Sequence, residues 1–485
     1  MTPQNFVVDL HCHPAMKPYG RSFKSAQTIR QNSHDVTDPT SIWYYDPPTL
    51  SDKLFNYAFG LTKFRQSDIS SSLYGQVHVI SASLYPIEKG FVVNNLGTGV
   101  LSDAAVNLAT GLGRDRLNHL QSMSDYFVDL NNEYNFYKQL NGRVMDIDRM
   151  KARYVLTKSF HHLEQLMSNP LPGVETLAIF FSIEGAHVLN CGLDPQNKPA
   201  NQQEVLDNLD KIKRWEHPPF FITVAHHFYN ELCGHAQSLS GFMSRVMDQN
   251  YRIDTGFTPL GWEVVRSMLS KQNGPRILID IKHMSPRSRR EYMNFLKQNY
   301  EHENIPLIVS HGAANGQYAF DNQRVVNKNT GHLLNPVSIN FYDEELIRIA
   351  MSGGIFGLQL DERRVGSREA LQQARGRLER RKILFHRSKL LWNQIQHIAE
   401  TLAETGMFPW GIQSIGSDYD GIIDPINGYW THEDMQFLDD YLLKHAHNYM
   451  QGEGKKLRVG NQTDPEEIIS RVMHLNAMEF LKMNF

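Results

Sequence analysis

The sequence predicts an α/β fold: a (β/α)8 TIM-type barrel with long loop and helical insertions. Three observations predict it. Eight short apolar runs recur along the 485 residues, helical patterns lie between them, and histidines and carboxylates fall at the C-terminal ends of the runs. A barrel gathers those ends at one mouth, which is where such folds keep their active sites.

The first run, FVVDLHCHP from Phe6 to Pro14, is continuous and β-branched, as suits a strand buried on both faces. Strand side chains alternate faces, so His11 and His13 point one way and Cys12 the other. Two imidazoles side by side at a strand end are a ready pair of metal ligands. Ala15 to Ser72 is polar and aromatic and reads as a loop-rich insertion over the site. Gln76 to Leu84 is the second strand, closed by Pro86. Gly90 to Asn169 is largely helical in pattern, with a glycine-rich turn at Leu96 to Gly99.

Thr176 to Ile183 is the third strand, and Glu184 follows it. A carboxylate past a buried strand end is costly unless it is paired or binds a cation. It reads equally as a helix N-terminal carboxylate favoured by the helix dipole. Phe220 to Ala225 is the fourth strand; of the adjacent His226 and His227, alternation lets at most one enter the mouth. Arg276 to Ile281 leads to His283, and Ile305 to Ser310 to His311. Asn315 to Ser338 carries turn signals and reads as another loop over the mouth. Ile355 to Leu360 is the seventh strand. Arg363 to Gly406 reads as one or two long helices, with Arg375, Arg377, Arg380 and Arg381 on a solvated face. Ile412 to Gly416, the eighth strand, leads to Asp418. From Asp464 a final amphipathic helix is expected, capped at Thr463 or Asp464.

The reading is one metal-dependent hydrolase domain over residues 1–485, with insertions at about 15–72, 90–169, 315–338 and 363–406. The 41% hydrophobic and 21% charged content is that of an ordinary globular chain. A net charge of -3 gives no reason to expect nucleic acid or a membrane surface as partner. Three cysteines form no disulfide framework. No signal peptide fits before Phe6, and no run approaches the roughly 18 apolar residues of a membrane span. A cytoplasmic protein with a small-molecule substrate is expected.

Four or five imidazoles and two carboxylates exceed what one catalytic zinc needs, so two divalent metal ions are the better fit. Such a pair holds a bridging hydroxide at neutral pH, and Glu184 has two oxygens with which to bridge it. Asp418 is placed to take the proton on attack and return it to the leaving group. No G-x-S-x-G elbow and no phosphate-cradling glycine loop competes with this chemistry.

HxH after the first strand and Asp after the eighth resemble the amidohydrolase superfamily. IEGAH (Ile183 to His187), GFTPLGWEVVRSM (Gly256 to Met268), LIDIKHMS (Leu278 to Ser285), IVSHGAA (Ile308 to Ala314) and IGSDYDG (Ile415 to Gly421) resemble the membrane dipeptidase family, in matching order. The resemblance implies a binuclear zinc site bridged by Glu184, with His283 and His311 on one ion and His11 and His13 on the other. It further implies Asp418 as proton shuttle, His226 as a substrate contact with His227 as the competing alignment, and a homodimer. Two departures stand out. The family's His-x-Asp is here His11-x-His13, and Ile339-Asn340 stands where its carboxylate-holding Arg falls, leaving Arg324 as a substitute. The expected function is hydrolysis of an amide or peptide bond in a dipeptide or N-acyl amino acid. The alternatives are the same metals acting on a lactone, a cyclic amide or a deaminated base, and a non-catalytic binding protein on the same barrel.

Overall fold

The computed structural model of the chain describes residues 6–25, 28–93, 107, 111–239 and 243–485. The turn expected at Leu96 to Gly99 lies outside them. Twelve strands are described: β1 (Val7–Cys12), β2 (Phe23–Ser25), β3 (Thr28–Ile29), β4 (Val77–Leu84), β5 (Met145–Ile147), β6 (Met150–Leu156), β7 (Glu175–Glu184), β8 (Phe221–Thr223), β9 (Leu278–Asp280), β10 (Ile308–Gly312), β11 (Ile355–Leu358) and β12 (Gln413–Ile415). Eight of them pair in parallel in the circular order β1-β4-β7-β8-β9-β10-β11-β12, and β12 returns to β1 through Asp9 and Ile415. The eight predicted strands are those eight, joined by segments that carry helices. The barrel is closed.

One edge of β7 serves two neighbours. Its first half, from Glu175 to Ile179, pairs with β6, and its last residues, Ser182 to Glu184, pair with β8. The antiparallel hairpin β5–β6 therefore extends the sheet outside the barrel. This corrects the helical reading of Gly90 to Asn169. That stretch does hold helices at Arg114–Ser122, Tyr126–Lys138 and Phe160–Ser168, but Met150–Leu156 alternates buried and less buried residues at the strand period. Ala15 to Ser72 is also more ordered than a loop: it contains helices Met16–Arg21, Leu50–Phe59 and Ile69–Tyr74. The first starts from a backbone turn at His13, and the second from a Thr49–Asp52 capping box.

Arg363 to Gly406 forms helices Glu362–Val365, Arg368–Ala374 and Arg380–Glu404, with Arg375, Arg377, Arg380 and Arg381 exposed. The final helical stretch begins at Pro465, with Asp464 at the N-cap, as expected. Val8 and Leu10 of β1 are buried, each worth about 1.5–3 kcal/mol when fully removed from water. No helix among the described residues is long and apolar enough to cross a membrane.

Candidate metal centre

His11 is the next-to-last residue of β1 and His13 lies just past its end, two residues on, so pleating brings both rings to one side. Their Nε2 atoms lie 3.1 Å apart. Glu184, the last residue of β7, meets them: Oε1 is 3.4 Å from His11 Nε2 and Oε2 is 3.1 Å from His13 Nε2. From the other side His283 and His311, whose Nε2 atoms are 3.2 Å apart, approach Glu184 Oε1 at 3.3 and 3.4 Å. His226 Nε2 is also 3.4 Å from Oε1. Asp418 closes the group, with Oδ1 3.7 Å from His13 and 3.9 Å from His11. Glu184 and Asp418 are only 3% and 6% exposed, so water supplies little of what these charges need.

The second nitrogen of each ring decides what the first can do. Ser310 Oγ–H donates to Asp280 Oδ2 at 2.6 Å, so its oxygen accepts from His311 Nδ1–H at 2.9 Å and from His11 Nδ1–H at 3.2 Å. The bond to His11 crosses the barrel interior, because β1 and β10 are not neighbours in the sheet. Asp280 itself accepts from Thr223 Oγ1 and from the backbone N–H groups of Lys282 and Ser310. His13 Nδ1–H donates to the Ser83 carbonyl at 3.1 Å. With those protons on Nδ1, the Nε2 atoms of His11, His13 and His311 present bare lone pairs to one another. Lone pairs that close repel unless a cation lies among them.

The donor set fits divalent metal. Two imidazole nitrogens each about 2.0–2.1 Å from one ion, at ordinary ligand angles, are roughly 3.0–3.4 Å apart, the spacing of both pairs here. His11, His13, Glu184 and Asp418 bring one ligand atom each within 4.8 Å of one another, and so do Glu184, His283 and His311. Nδ1–H groups held by oxygen are the usual support of metal-binding histidines.

Charge is arranged around this core. Burial would raise Glu184, but the His226 and His11 rings and the hydrogen bonds to it hold it well below the usual carboxylate range. Burial and the Glu184 charge push Asp418 up to about 6. His226 works against burial: Glu184 on one side and Glu88 on the other push it up to about 10. Its Nδ1–H donates to Glu88 Oε2 at 2.6 Å. Burial and the His226 charge push His227 well down. His283 and Asp418 both sit at positive φ, 64° and 61°, and so does the β-branched Ile422 at 66°; such strain gathers where a site fixes its backbone.

The cavity above the cluster is lined by Glu184, His226, His227, Lys282, His283, Gln359, Arg363, Arg364 and Asp418, among others. Both His226 and His227 reach it. That corrects the alternation expected of them, because β8 ends at Thr223 and neither residue is on a strand. Cys12 is absent from the lining; its thiol lies 3.8 Å from the Ser81 carbonyl. Arg324 lies elsewhere, exposed and over the Tyr318 ring at 5.0 Å, so it does not stand in for the absent Arg. Arg363 and Arg364 face the cavity instead. Sequence reading also missed Glu88, Asp280, Ser310 and Gln359. The signal available for Asp280 was its inward register two residues before Lys282; Glu88 had none, because it acts from a loop through His226.

No protein-family model matches the sequence, and no curated protein matches it. Solved structures are similar to it. They include a probable dipeptidase, PvdM, from Pseudomonas aeruginosa, at 12% identity over 86% of this chain and 88% of that one, with a TM-score of 0.47. An amidohydrolase from the same species is 13% identical over 85% and 90%, at 0.44. A metallo peptidase from Rhodobacter sphaeroides, liganded with a phosphinate mimic of the dipeptide L-Ala-D-Ala, is 13% identical over 99% of both chains, at 0.47. The barrel rests on this chain's own strand pairing, and a likeness this distant adds nothing about its chemistry.

Proposed function

We propose that this chain is a divalent-metal-dependent hydrolase that cleaves an amide bond in a small substrate, a dipeptide or an N-acyl amino acid. The observation that carries the reading is the close approach of paired histidine Nε2 atoms, 3.1 Å for His11 and His13 and 3.2 Å for His283 and His311, around the Glu184 carboxylate. His11 and His13 would hold one ion and His283 and His311 a second, with Glu184 shared; zinc is the first choice for such a set. When bound, such ions make water a nucleophile at neutral pH and polarise a carbonyl oxygen.

The remaining steps fall to side chains. Gln359 Nε2–H donates to Asp418 Oδ2 at 2.7 Å, which fixes that oxygen and leaves Oδ1 toward His11 and His13. Asp418 Oδ1 is thus the base that takes the proton of the attacking water and the acid that returns it to the leaving amine. His226, kept charged between Glu88 and Glu184, offers an N–H to the carbonyl oxygen as it gains negative charge. Tyr85, Phe91 and Ile422 wall the cavity and keep bulk water from the reacting centre.

Elemental analysis of protein purified without chelator should find about two divalent ions per chain. Dipeptide hydrolysis should vanish on chelation and return with zinc. Protein that holds no ion and takes up none from added zinc or manganese would defeat the proposal.

A further inference from the structure

The barrel closes at a short seam. Among the described residues β1 and β12 share a single register pair, Asp9 with Ile415, whereas β1 pairs with β4 at four positions. His11 and His13 stand on one side of that seam and Asp418 on the other. Asp418 and Asp420 both turn at positive φ, 61° and 67°, a conformation that persists only where the surroundings hold it. Asp9 supplies the hold. Its Oδ1 accepts the His11 N–H at 3.1 Å and the Ser417 N–H at 2.9 Å, and its Oδ2 accepts from Ser417 Oγ–H and from His432 Nε2–H at 2.7 Å. Four donors on two oxygens are the full complement of a carboxylate. Beside this clip the Asp418 N–H crosses the seam to the His11 carbonyl at 2.9 Å, and the His13 N–H to that of Tyr419 at 2.9 Å.

Three of the four donors belong to the seam itself, and the fourth, His432, comes from outside it. This histidine opens the short turn His432–Asp434 after β12 and is fully buried. Its Nδ1 lies 2.8 Å from Ser72 Oγ on the helix Ile69–Tyr74, and its ring meets the Tyr419 ring at 5.3 Å. Neither His432 nor Asp9 lines the cavity, so both act through other residues. We propose that His432 is a positioning residue: through Asp9 it fixes His11 against Asp418, and with them the metal ligands against the group that moves the proton. This rests on the hydrolase reading of the site. Asp418 Oδ1 stands 3.9 Å from His11 and 3.7 Å from His13, and a drift of about 1 Å there is enough to cost about 10²-fold in rate. Without the His432 bond, Asp9 Oδ2 loses one of its two donors out of reach of water, and the carboxylate turns away from the arrangement that holds both strand ends.

The test compares His432→Leu, which removes the donor, with His432→Gln, whose amide N–H can take the place of Nε2–H. Three properties are read on each: zinc affinity by competition with a chromophoric chelator, the midpoint of denaturant unfolding, and kcat and KM for a dipeptide at saturating zinc. His432→Leu should bind its weaker zinc ion about tenfold less tightly and lose about 10–100-fold in kcat, with KM within about twofold of the parent. His432→Gln should regain most of both losses. A lower unfolding midpoint in His432→Leu with zinc affinity and kcat unchanged would overturn the proposal and leave His432 a purely structural residue. A His432→Gln no better than His432→Leu in zinc affinity and kcat would overturn it too, because the N–H to Asp9 would then not be what acts. A parent that holds zinc but cleaves no amide strikes the hydrolase reading alone; zinc affinity, lost in His432→Leu and regained in His432→Gln, would still support the clip, and unchanged affinity would overturn it. If His432→Leu does not fold, Ser417→Ala, which takes the neighbouring hydroxyl off the same Asp9 oxygen, is expected to lower kcat about tenfold, and unchanged kcat and zinc affinity there would overturn the proposal.

Discussion

Arg116 and Asp129, on two helices of the insertion that follows β4, are a closed pair, whereas Glu184 at the barrel mouth sits among imidazoles whose Nε2 atoms converge on it. Arg116 Nη1 and Nη2 meet the two Asp129 oxygens at 2.7 and 2.6 Å, Tyr19 OH adds a third bond at 2.8 Å, and the guanidinium lies 4.8–5.0 Å from the Phe23 and Tyr19 rings. Each charge there meets its opposite. Around Glu184 five imidazole nitrogens lie within 3.1–3.4 Å of one carboxylate, and the Nδ1–H bonds of His11, His13 and His311 leave their Nε2 atoms as acceptors facing inward. Burial alone does not separate structure from function, since both clusters are out of water. Completeness does: the first cluster is satisfied by protein atoms, and the second asks for something more.

The largest effect expected from this contrast is at Glu184. Glu184→Ala should fold, lose metal to well under the parent's content, and show no measurable turnover; a variant that keeps two ions would place the shared ligand elsewhere. Asp418→Asn comes next. It should keep its metal while kcat falls about 10²–10⁴-fold, the usual worth of a positioned acid–base group. Unchanged kcat would remove Asp418 from proton transfer.

The closed pair should answer in stability and not in chemistry. Arg116→Met strands Asp129 and should cost about 3–5 kcal/mol in denaturant unfolding, with metal per folded chain unchanged. Burial would raise Asp129, but the Arg116 charge and its hydrogen bonds hold it well below its ordinary 3.8. A carboxylate lowered on folding adds stability in full above that ordinary value and loses it as the pH falls. The penalty of Arg116→Met should therefore be constant near neutrality and shrink below about pH 4. A penalty that persists at pH 2 would mean that packing on Tyr19 and Phe23 outweighs charge.

How far the sequence could be read follows the same division. The barrel strands were legible because parallel strands buried on both faces appear as unbroken apolar runs, whatever the insertions do. Six strand ends carrying His or carboxylate pointed to the candidate metal cluster for the same reason, since barrel closure brings strand ends together without reference to loops. The hairpin β5–β6 was missed because Lys151 and Arg153 alternate with Ala152 and Tyr154, a pattern that passes for a charged helix face in a segment rich in both. Arg364 was hidden in a stretch dense in arginine. Its place in the cavity lining rests on a short helix whose carbonyls are braced by amides from residues 335–340 and 394, which leave no trace in local pattern.

The smallest predicted effect probes the boundary between the two kinds of cluster, at Glu88. This carboxylate is closed like Asp129: it accepts from His226 Nδ1–H at 2.6 Å, from the Phe228 N–H at 3.0 Å and from Tyr85 OH at 3.2 Å. Its partner His226, however, opens onto Glu184. Burial would raise Glu88, yet the His226 charge brings it down to about 2, and in return Glu88 helps keep His226 charged. Glu88→Gln keeps the shape and removes the charge. It should retain the metal, lose about 10–100-fold in kcat/KM, and move the alkaline limb of the pH profile to lower pH, because a His226 with less negative charge around it gives up its proton earlier. An unshifted alkaline limb with the same loss of rate would mean that Glu88 only orients the ring. In that case His226 would work as a neutral N–H donor, and the charge on Glu184 would be balanced by metal alone.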